Sequence, residues 1–555
     1  MAEPNKTTRT LAGIAGIVAI ATLVSKVFGL VRQQAIAAAF GAGPAFGAYN
    51  FAYVIPGFLL ILLGGINGPF HSAMVSVLAK RRKADIAPIV ETITTLVVSI
   101  LLVVMVLLII FAEPLMRLVG PGLFITEAQA QARNIPPDVF AITQQTRDIA
   151  IDQFRIMAPM AVLAGLIGIG FGVLNAADSY WLPSISPLLS SVTVLLGLAG
   201  LAIALGPDLT LPENAALGGA VLAWTTLAGA VLQWLVQLPV QARMGLGAFR
   251  PRFDFNSPAV KEVLGIMGPA TFSSGMLQIN VWTDLFFISF IPNAAAAASA
   301  LAYAGLLVQT PLGILSNVIL VPLMPVFSRL AAPEHWPELK GRIRQGLMTT
   351  AIAMLPISAL MIVLALPIAR VVYERFAFSP EDSQLTASVL VAYAIGMYVF
   401  LGRDVLVRVF YGLGDARTPF TISLVNIGLN ALFDAVLVGP LGAPGIVLAT
   451  VVVNAISMVT MLVVLHKRLQ GLPLRQWGGQ TVTLAVGAAI AGGIALVVLQ
   501  TMERLLGNEG FFILLLQLCV AGVAGMGGFV LFASRLRLPE VEVLSDRLRQ
   551  KFLKR

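Results

Sequence analysis

Charge is scarce in this chain: Asp, Glu, Lys and Arg make up 11% of its 555 residues, against roughly 25% in an ordinary soluble domain. A water-facing surface cannot be built from so few charges, which excludes a soluble enzyme. Cysteine is nearly absent. Cys519 stands alone in an apolar run, so no intrachain disulfide can form, and the residue reads as a small side chain packed in lipid or in the core. The chain also lacks H-E-x-x-H, a Walker loop, and G-x-G-x-x-G between a strand and a helix, so no soluble-type catalytic site or ATP site is encoded. No nucleic-acid partner is expected, and no cofactor beyond a coupling ion.

Apolar residues dominate instead, at 58%, with a mean hydropathy of +0.90. A bilayer-spanning helix needs about 20 mostly apolar residues, and windows of that kind number about fourteen. Their cores are 11–31, 47–69, 91–112, 155–176, 184–205, 217–240, 263–290, 296–325, 347–369, 386–411, 418–438, 443–465, 480–500 and 511–533. The first window follows Lys6 and Arg9 and precedes Ala35-Ile36-Ala37, which imitates a signal-peptide cleavage site. Its apolar part is too long for a signal peptide and Lys26 interrupts it, so it counts as a span. The fold class is therefore an all-α polytopic membrane protein.

Cytoplasmic loops of such proteins collect Lys and Arg. Of the 36 here, 25 fall on the side that holds the N-terminus, among them Lys80 to Lys83 and the tail from Arg535 to Arg555. Seven fall on the other side, mixed with acidic residues such as Glu113, Glu127 and Asp138. Both termini are thus expected in the cytoplasm. The remaining four, Lys26, Arg32, Arg403 and Arg408, lie within spans or at their edges.

Two stretches read alike. Ala48-Tyr49-Asn50-Phe51-Ala52-Tyr53, then Pro56 and a helix ending at Ala79-Lys80, parallels Ala302-Tyr303-Ala304, then Pro311 and a helix ending at Ser328-Arg329. Glu113-Pro114-Leu115 is echoed by Leu366-Pro367-Ile368, and Gly172-Val173-Leu174-Asn175 by Gly412-Leu413-Gly414-Asp415. This suggests two six-helix bundles, 1–240 and 241–470, related by an axis along the membrane normal, with two additional helices and a basic tail in 471–555. Chance similarity among Gly, Pro and apolar residues would look much the same.

Ionisable groups at membrane depth are expensive and often mark function. Lys26 lies deep in the first span and Arg32 near its end. Cations lining a cavity would suit a phosphate or pyrophosphate, with Arg able to bind it through two hydrogen bonds; snorkelling to the interface is the alternative. Asn67 in the second span and Arg403 in the tenth complete the candidate substrate contacts, although Arg403, Asp404 and Arg408 can also neutralise one another. On the eleventh span Asn426, Asn430 and Asp434 recur at i, i+4 and i+8, on one helix face. Asp284 lies near Gln278 and Asn280 in the seventh, and Thr450 offers a hydroxyl on the twelfth. Such hard oxygens suit an alkali cation or a proton; interhelical hydrogen bonding would use the same residues. His71 reads as a boundary residue, and no role attaches to His335 or His466.

Several motifs occur together and in order: Ser25-Lys26-Val27-Phe28-Gly29-Leu30-Val31-Arg32, Phe40-Gly41-Ala42-Gly43, Gln278-Ile279-Asn280, Pro311-Leu312-Gly313, Pro325-Val326-Phe327-Ser328-Arg329, and the run from Arg408 through Gly412-Leu413-Gly414-Asp415-Ala416-Arg417-Thr418-Pro419. In these the chain resembles the MurJ (MviN) family of lipid II flippases, within the multidrug and polysaccharide flippase superfamily. The resemblance implies a protein of the bacterial inner membrane that moves undecaprenyl-pyrophosphate-linked peptidoglycan precursor between leaflets. It implies a cationic central cavity, a lipid-tail groove near the last two helices, and a sodium-type site at Asp284, Asn430, Asp434 and Thr450 with a backbone carbonyl near Ile446. It also implies membrane lipids as surroundings, a monomer, and association with cell-wall synthesis proteins. The chain departs from the family where Gly47 replaces an acidic residue, where Leu60 and Ile61 stand in place of an Arg pair, and where Gly305-Leu306 replaces Asp-Arg; Lys26 replaces an Arg.

The expected function is alternating-access flipping of lipid II, without catalysis. Two rivals are a cation-coupled small-molecule exporter, which calls for acidic rather than basic residues in the first bundle, and a polyprenyl-lipid transferase, which calls for clustered carboxylates in an outer loop. Segment 113–150 offers the latter only scattered acids.

Overall fold

The computed structural model describes residues 6–65, 68–247, 250–276 and 279–536. Asn67, Gln278 and the basic tail past Leu536 lie outside them. Among the described residues the secondary structure is helical, without strands. Among the described residues eleven helices are long and apolar enough to cross a membrane, or twelve when Pro137–Met157 and Met160–Ala176, bent by 42°, count as one span. These coincide with twelve of the windows read from the sequence. The other two windows fall on Lys6–Phe40 and on the pair Pro258–Met276 and Ile279–Ile288. The chain forms two compact units, Met1–Ser299 with Arg375–Phe378, and Ala300–Glu374 with Ser379–Arg555.

The first unit contains α1 (Lys6–Phe40), α2 (Pro44–Gly64), α3 (Pro69–Leu78), α4 (Lys83–Ile110), α5 (Ala112–Val119), α6 (Glu127–Ala132), α7 (Pro137–Met157), α8 (Met160–Ala176), α9 (Trp181–Ile185), α10 (Pro187–Leu205), α11 (Ala215–Leu235), α12 (Gln237–Met244), α13 (Pro258–Met276) and α14 (Ile279–Ile288). Prolines start α2, α3, α7 and α10 in their first turn, where the missing N–H has no intrahelical partner to lose. Lipid is as apolar as Leu, so close packing of small residues rather than a hydrophobic force draws such helices together. On α8 the stripe Ala164, Gly168, Gly172 does this. Gly168 lies against the Leu63 carbonyl of α2, and Gly172 against Met74 and the His71 backbone of α3. Around that seam Leu63, Phe70, Met74, Ile93, Val97 and Ile169 are buried in one cluster.

Two further contacts fix the ends of the unit. An ideal Cβ on Gly47 would stand 2.5 Å from Ala295 Cα, so the acidic side chain the resemblance leads one to expect at this position has no room. The Gly122 backbone N–H donates to Ser289 Oγ at 2.9 Å.

The second unit is built from α15 (Ala294–Arg329, whose first turn and a half belongs to the first unit), α16 (Trp336–Val363), α17 (Ala365–Tyr373), α18 (Pro380–Gly412), α19 (Arg417–Leu441), α20 (Ala443–Arg468), α21 (Leu474–Leu506) and α22 (Phe511–Arg535). Tyr373 donates its hydroxyl to the Tyr303 carbonyl at 3.1 Å, which ties α17 to α15. Helices α21 and α22 pack through Ala495, Leu499 and Ala521 onto Leu360, Val363, Leu364 and Ile368. Their outer faces, with Val482, Val497, Val523 and Leu531, are exposed hydrocarbon, as expected of helices that meet lipid.

Candidate functional site

In the first unit the two cations of α1 part company. Six residues turn an α-helix through about 600°, which leaves Lys26 and Arg32 about 120° apart around the axis. Lys26 is exposed among Val24, Val27 and Phe28, while Arg32 is half-buried. The Arg32 Nε is buried without a hydrogen-bond partner among the described residues. Arg32 lies within electrostatic range of two tyrosine hydroxyls on α2, those of Tyr49 and Tyr53. The two rings stack at 5.2 Å, and the Tyr49 hydroxyl shares a hydrogen bond of 3.2 Å with Thr226 on α11. An unsatisfied guanidinium edge beside stacked phenols can accept an oxyanion. The sequence signal for these tyrosines is their i, i+4 spacing followed by Gly57, whose missing side chain leaves room for the Tyr53 ring. Of the positions where the resemblance leads one to expect an Arg pair, Leu60 is half-buried and Ile61 exposed.

In the second unit α19 turns its polarity inward. Its buried residues are Pro419, Asn426, Asn430 and Asp434, whereas Leu424, Val425, Leu432 and Val436 are exposed. The Asn430 amide donates to Asp434 Oδ2 at 2.8 Å, and Thr450 on α20 donates to Asn430 Oδ1 at 3.2 Å. One turn along, the Asn454 amide donates to the Thr450 carbonyl at 2.7 Å. Ile446 is fully buried one turn before Thr450. The structure thus brings together Asn430, Asp434 and Thr450 from the expected cation set. Asp284 is half-buried on α14, in the first unit. Carboxylate, amide and hydroxyl oxygens form a donor set that fits an alkali cation.

Arg403 has different company from that expected of a cargo contact. Its Nε donates to Ser457 on α20 at 3.2 Å, one terminal nitrogen donates to Ser423 on α19 at 3.1 Å, and another lies 3.7 Å from Asp404. One guanidinium therefore joins α18, α19 and α20. Neither serine was distinguishable in sequence from the many others on these helices. His71 pairs with Asn175 at 2.7 Å, a contact between α3 and α8 within the packed seam.

The longest matched motif is a built turn. After α18 the chain closes a Schellman cap, with Asp415 N–H donating to the Phe410 carbonyl and Gly414, at φ +73°, donating to Tyr411. The Asp415 carboxylate then accepts from the Thr418 backbone N–H at 3.0 Å, the Thr418 hydroxyl at 2.8 Å and Arg468 at 2.6 Å. Burial alone would raise this carboxyl, but the two Thr418 hydrogen bonds and Arg468 together pull it below the usual carboxylate value.

The sequence pattern of the family described as lipid II flippase MurJ matches residues 36–517. A protein of Synechocystis sp. named probable lipid II flippase MurJ is 52% identical over 555 residues, covering 100% of this chain and 99% of its own. The lipid II flippase MurJ of Burkholderia cenocepacia is 28% identical over 480 residues, covering 85% of this chain and 87% of its own. A solved structure of lipid II flippase MurJ in an inward closed conformation superposes with a TM-score of 0.70 at 20% identity, covering 94% of this chain and 98% of that one. An inward-facing multidrug resistance MATE transporter gives 0.56 at 14% identity, over 80% and 94%. These two share the fold. Matched across nearly its whole length, this multi-pass membrane chain belongs to the MurJ family of lipid II flippases.

Proposed function

We propose that this chain translocates lipid II, the undecaprenyl-pyrophosphate-linked peptidoglycan precursor, across the bacterial inner membrane by alternating access, and that it is not an enzyme. The observation that carries this reading is the 52% identity to a protein named probable lipid II flippase MurJ, across the full length of both chains. Fourteen spans in two six-helix bundles (1–240 and 241–470), with two further helices and a basic tail in 471–555, and both termini in the cytoplasm, complete the proposed topology. Arg32 and Lys26 receive the pyrophosphate, and the unpartnered Arg32 Nε beside Tyr49 and Tyr53 supports Arg32 in that role. Asn67 belongs to the same proposed set. The prenyl tail stays in lipid.

Sodium is proposed as the coupling ion, held by Asn430, Asp434 and Thr450 with the carbonyl of Ile446, and Asp284 is retained from the family pattern. A carboxylate fully buried at membrane depth is costly unless a proton or cation neutralises it, which supports a site whose occupancy changes. An inside-negative potential favours inward movement of a cation by about 2.3 kcal/mol per charge per 100 mV and so can reset the empty carrier.

The test is complementation in a strain depleted of its own flippase, combined with labelling of lipid II in each leaflet. Arg32→Ala is expected to express normally, fail to support growth and leave lipid II on the inner leaflet. Full complementation would remove Arg32 from the cargo path.

A further inference from the structure

A groove between α4 and segment 250–255 shares no lining residue with those proposed for the cargo or the cation. Thr94, Thr95, Val98 and Ser99 line one wall and Arg250, Pro251 and Phe253 the other, around about 250 Å³. The segment is pinned in place. The Arg252 backbone N–H donates to Thr95 Oγ1 at 3.0 Å, and the Arg252 guanidinium lies 3.9 Å from Glu91. Arg250 is left over: it is exposed and has no ion-pair partner among the described residues. Phe253 stands exposed at the rim with Phe255 edge-on to it at 6.0 Å.

The face of α4 that meets this groove changes character along its length. Thr95 and Ser99 are one turn apart, and the exposed Leu102, Val103 and Val106 continue the same face. Ser99 also donates back to the Thr95 carbonyl, so its oxygen lone pairs face outward as acceptors. Within about three turns the surface passes from a free guanidinium and hydroxyls to bare hydrocarbon, on a helix long enough to cross a membrane. A peptide or a nucleic acid would find no polar partner beyond Ser99. A phospholipid has this polarity profile: a phosphodiester, then ester oxygens, then an acyl chain.

We infer that the groove holds one anionic phospholipid, with its phosphodiester on Arg250, its glycerol ester oxygens passing Thr94 and Ser99 with the Thr94 hydroxyl as donor, and an acyl chain along Leu102, Val103 and Val106. The inference does not depend on the cargo. Native mass spectrometry of the full chain, taken from vesicles of equal phosphatidylglycerol and phosphatidylcholine, tests it. The unaltered protein is expected to retain one phosphatidylglycerol in preference. Arg250→Gln and Ser99→Trp, the second filling the groove without removing charge, should each cut that retention at least fivefold. Arg243→Gln, which removes an exposed cation outside the groove, should leave it unchanged. Retention that survives both groove substitutions, or that falls equally with Arg243→Gln, would overturn the site in favour of general surface charge. Deacylated glycerophosphoglycerol is expected not to displace the lipid; displacement at similar concentration would show a soluble phosphoester site instead.

Discussion

Asn430 and Asp434, one turn apart on α19, are joined by a hydrogen bond of 2.8 Å from the amide to a carboxylate that is fully buried. The amide oxygen of Asn430 is in turn held by Thr450 from the neighbouring helix. This arrangement orients a carboxylate within the bundle and ties α19 to α20.

Asp434→Asn keeps the size and most of the hydrogen bonding but removes the charge. Flipping in proteoliposomes is expected to lose its response to imposed sodium or proton gradients, while the protein still purifies as a folded species. Undiminished, gradient-dependent flipping by the variant would rule out a coupling role for this carboxylate.

Arg403 makes contacts on three helices of one unit, so its removal should act on stability before it acts on cargo. Interhelical hydrogen bonds in membranes are worth about 0.6 kcal/mol each on average. Two are lost in Arg403→Met, so a cost of about 1 kcal/mol is expected, visible as a lower Tm in detergent. A variant with unchanged Tm but no flipping would instead return Arg403 to the cargo path.

The Asp415 turn gives a pH dependence with a definite sign. Its folded-state pKa lies below the ordinary 3.8, so its stabilisation is fully present above that value and is lost as pH falls through the lowered one. Resistance of the α18–α19 turn to proteolysis is expected to hold at pH 5 and fall in stronger acid. Asp415→Asn should be weaker at neutral pH and should flatten this acid transition.

Gly47 tests whether the acidic residue that the resemblance implies can be placed at this position. Gly47→Asp would drive a side chain into the Ala295 backbone, and overpacking of this kind costs about 1–3 kcal/mol. Reduced yield and a lower Tm are expected. A variant with native Tm would mean that the start of α15 yields to it.

Much of this molecule was legible in the order of its residues. Long apolar windows located eleven spans that the described residues reproduce by length and composition, or twelve with the bent pair, because a lipid-exposed helix must satisfy its backbone internally and show hydrocarbon outside. The i, i+4, i+8 run of Asn426, Asn430 and Asp434 placed three polar groups on one face, and that face is the buried one. Arg403 was less legible: its charge was conspicuous, but the serines that receive it are 20 and 54 residues away.

Composition and periodicity decided that the chain lives in a membrane, since so few charges cannot cover a water-facing surface. They also decided which residues are costly enough there to require a reason. Folding decided how each cost is met: Arg403 by serines on two other helices, Arg32 beside tyrosines with one nitrogen left open, Asp434 by an amide a turn away, and Gly47 by a backbone too close for any side chain. Periodicity is a property of one helix, whereas the partner of a buried polar group comes from whichever helix packs against it, and that is set only when the helices meet.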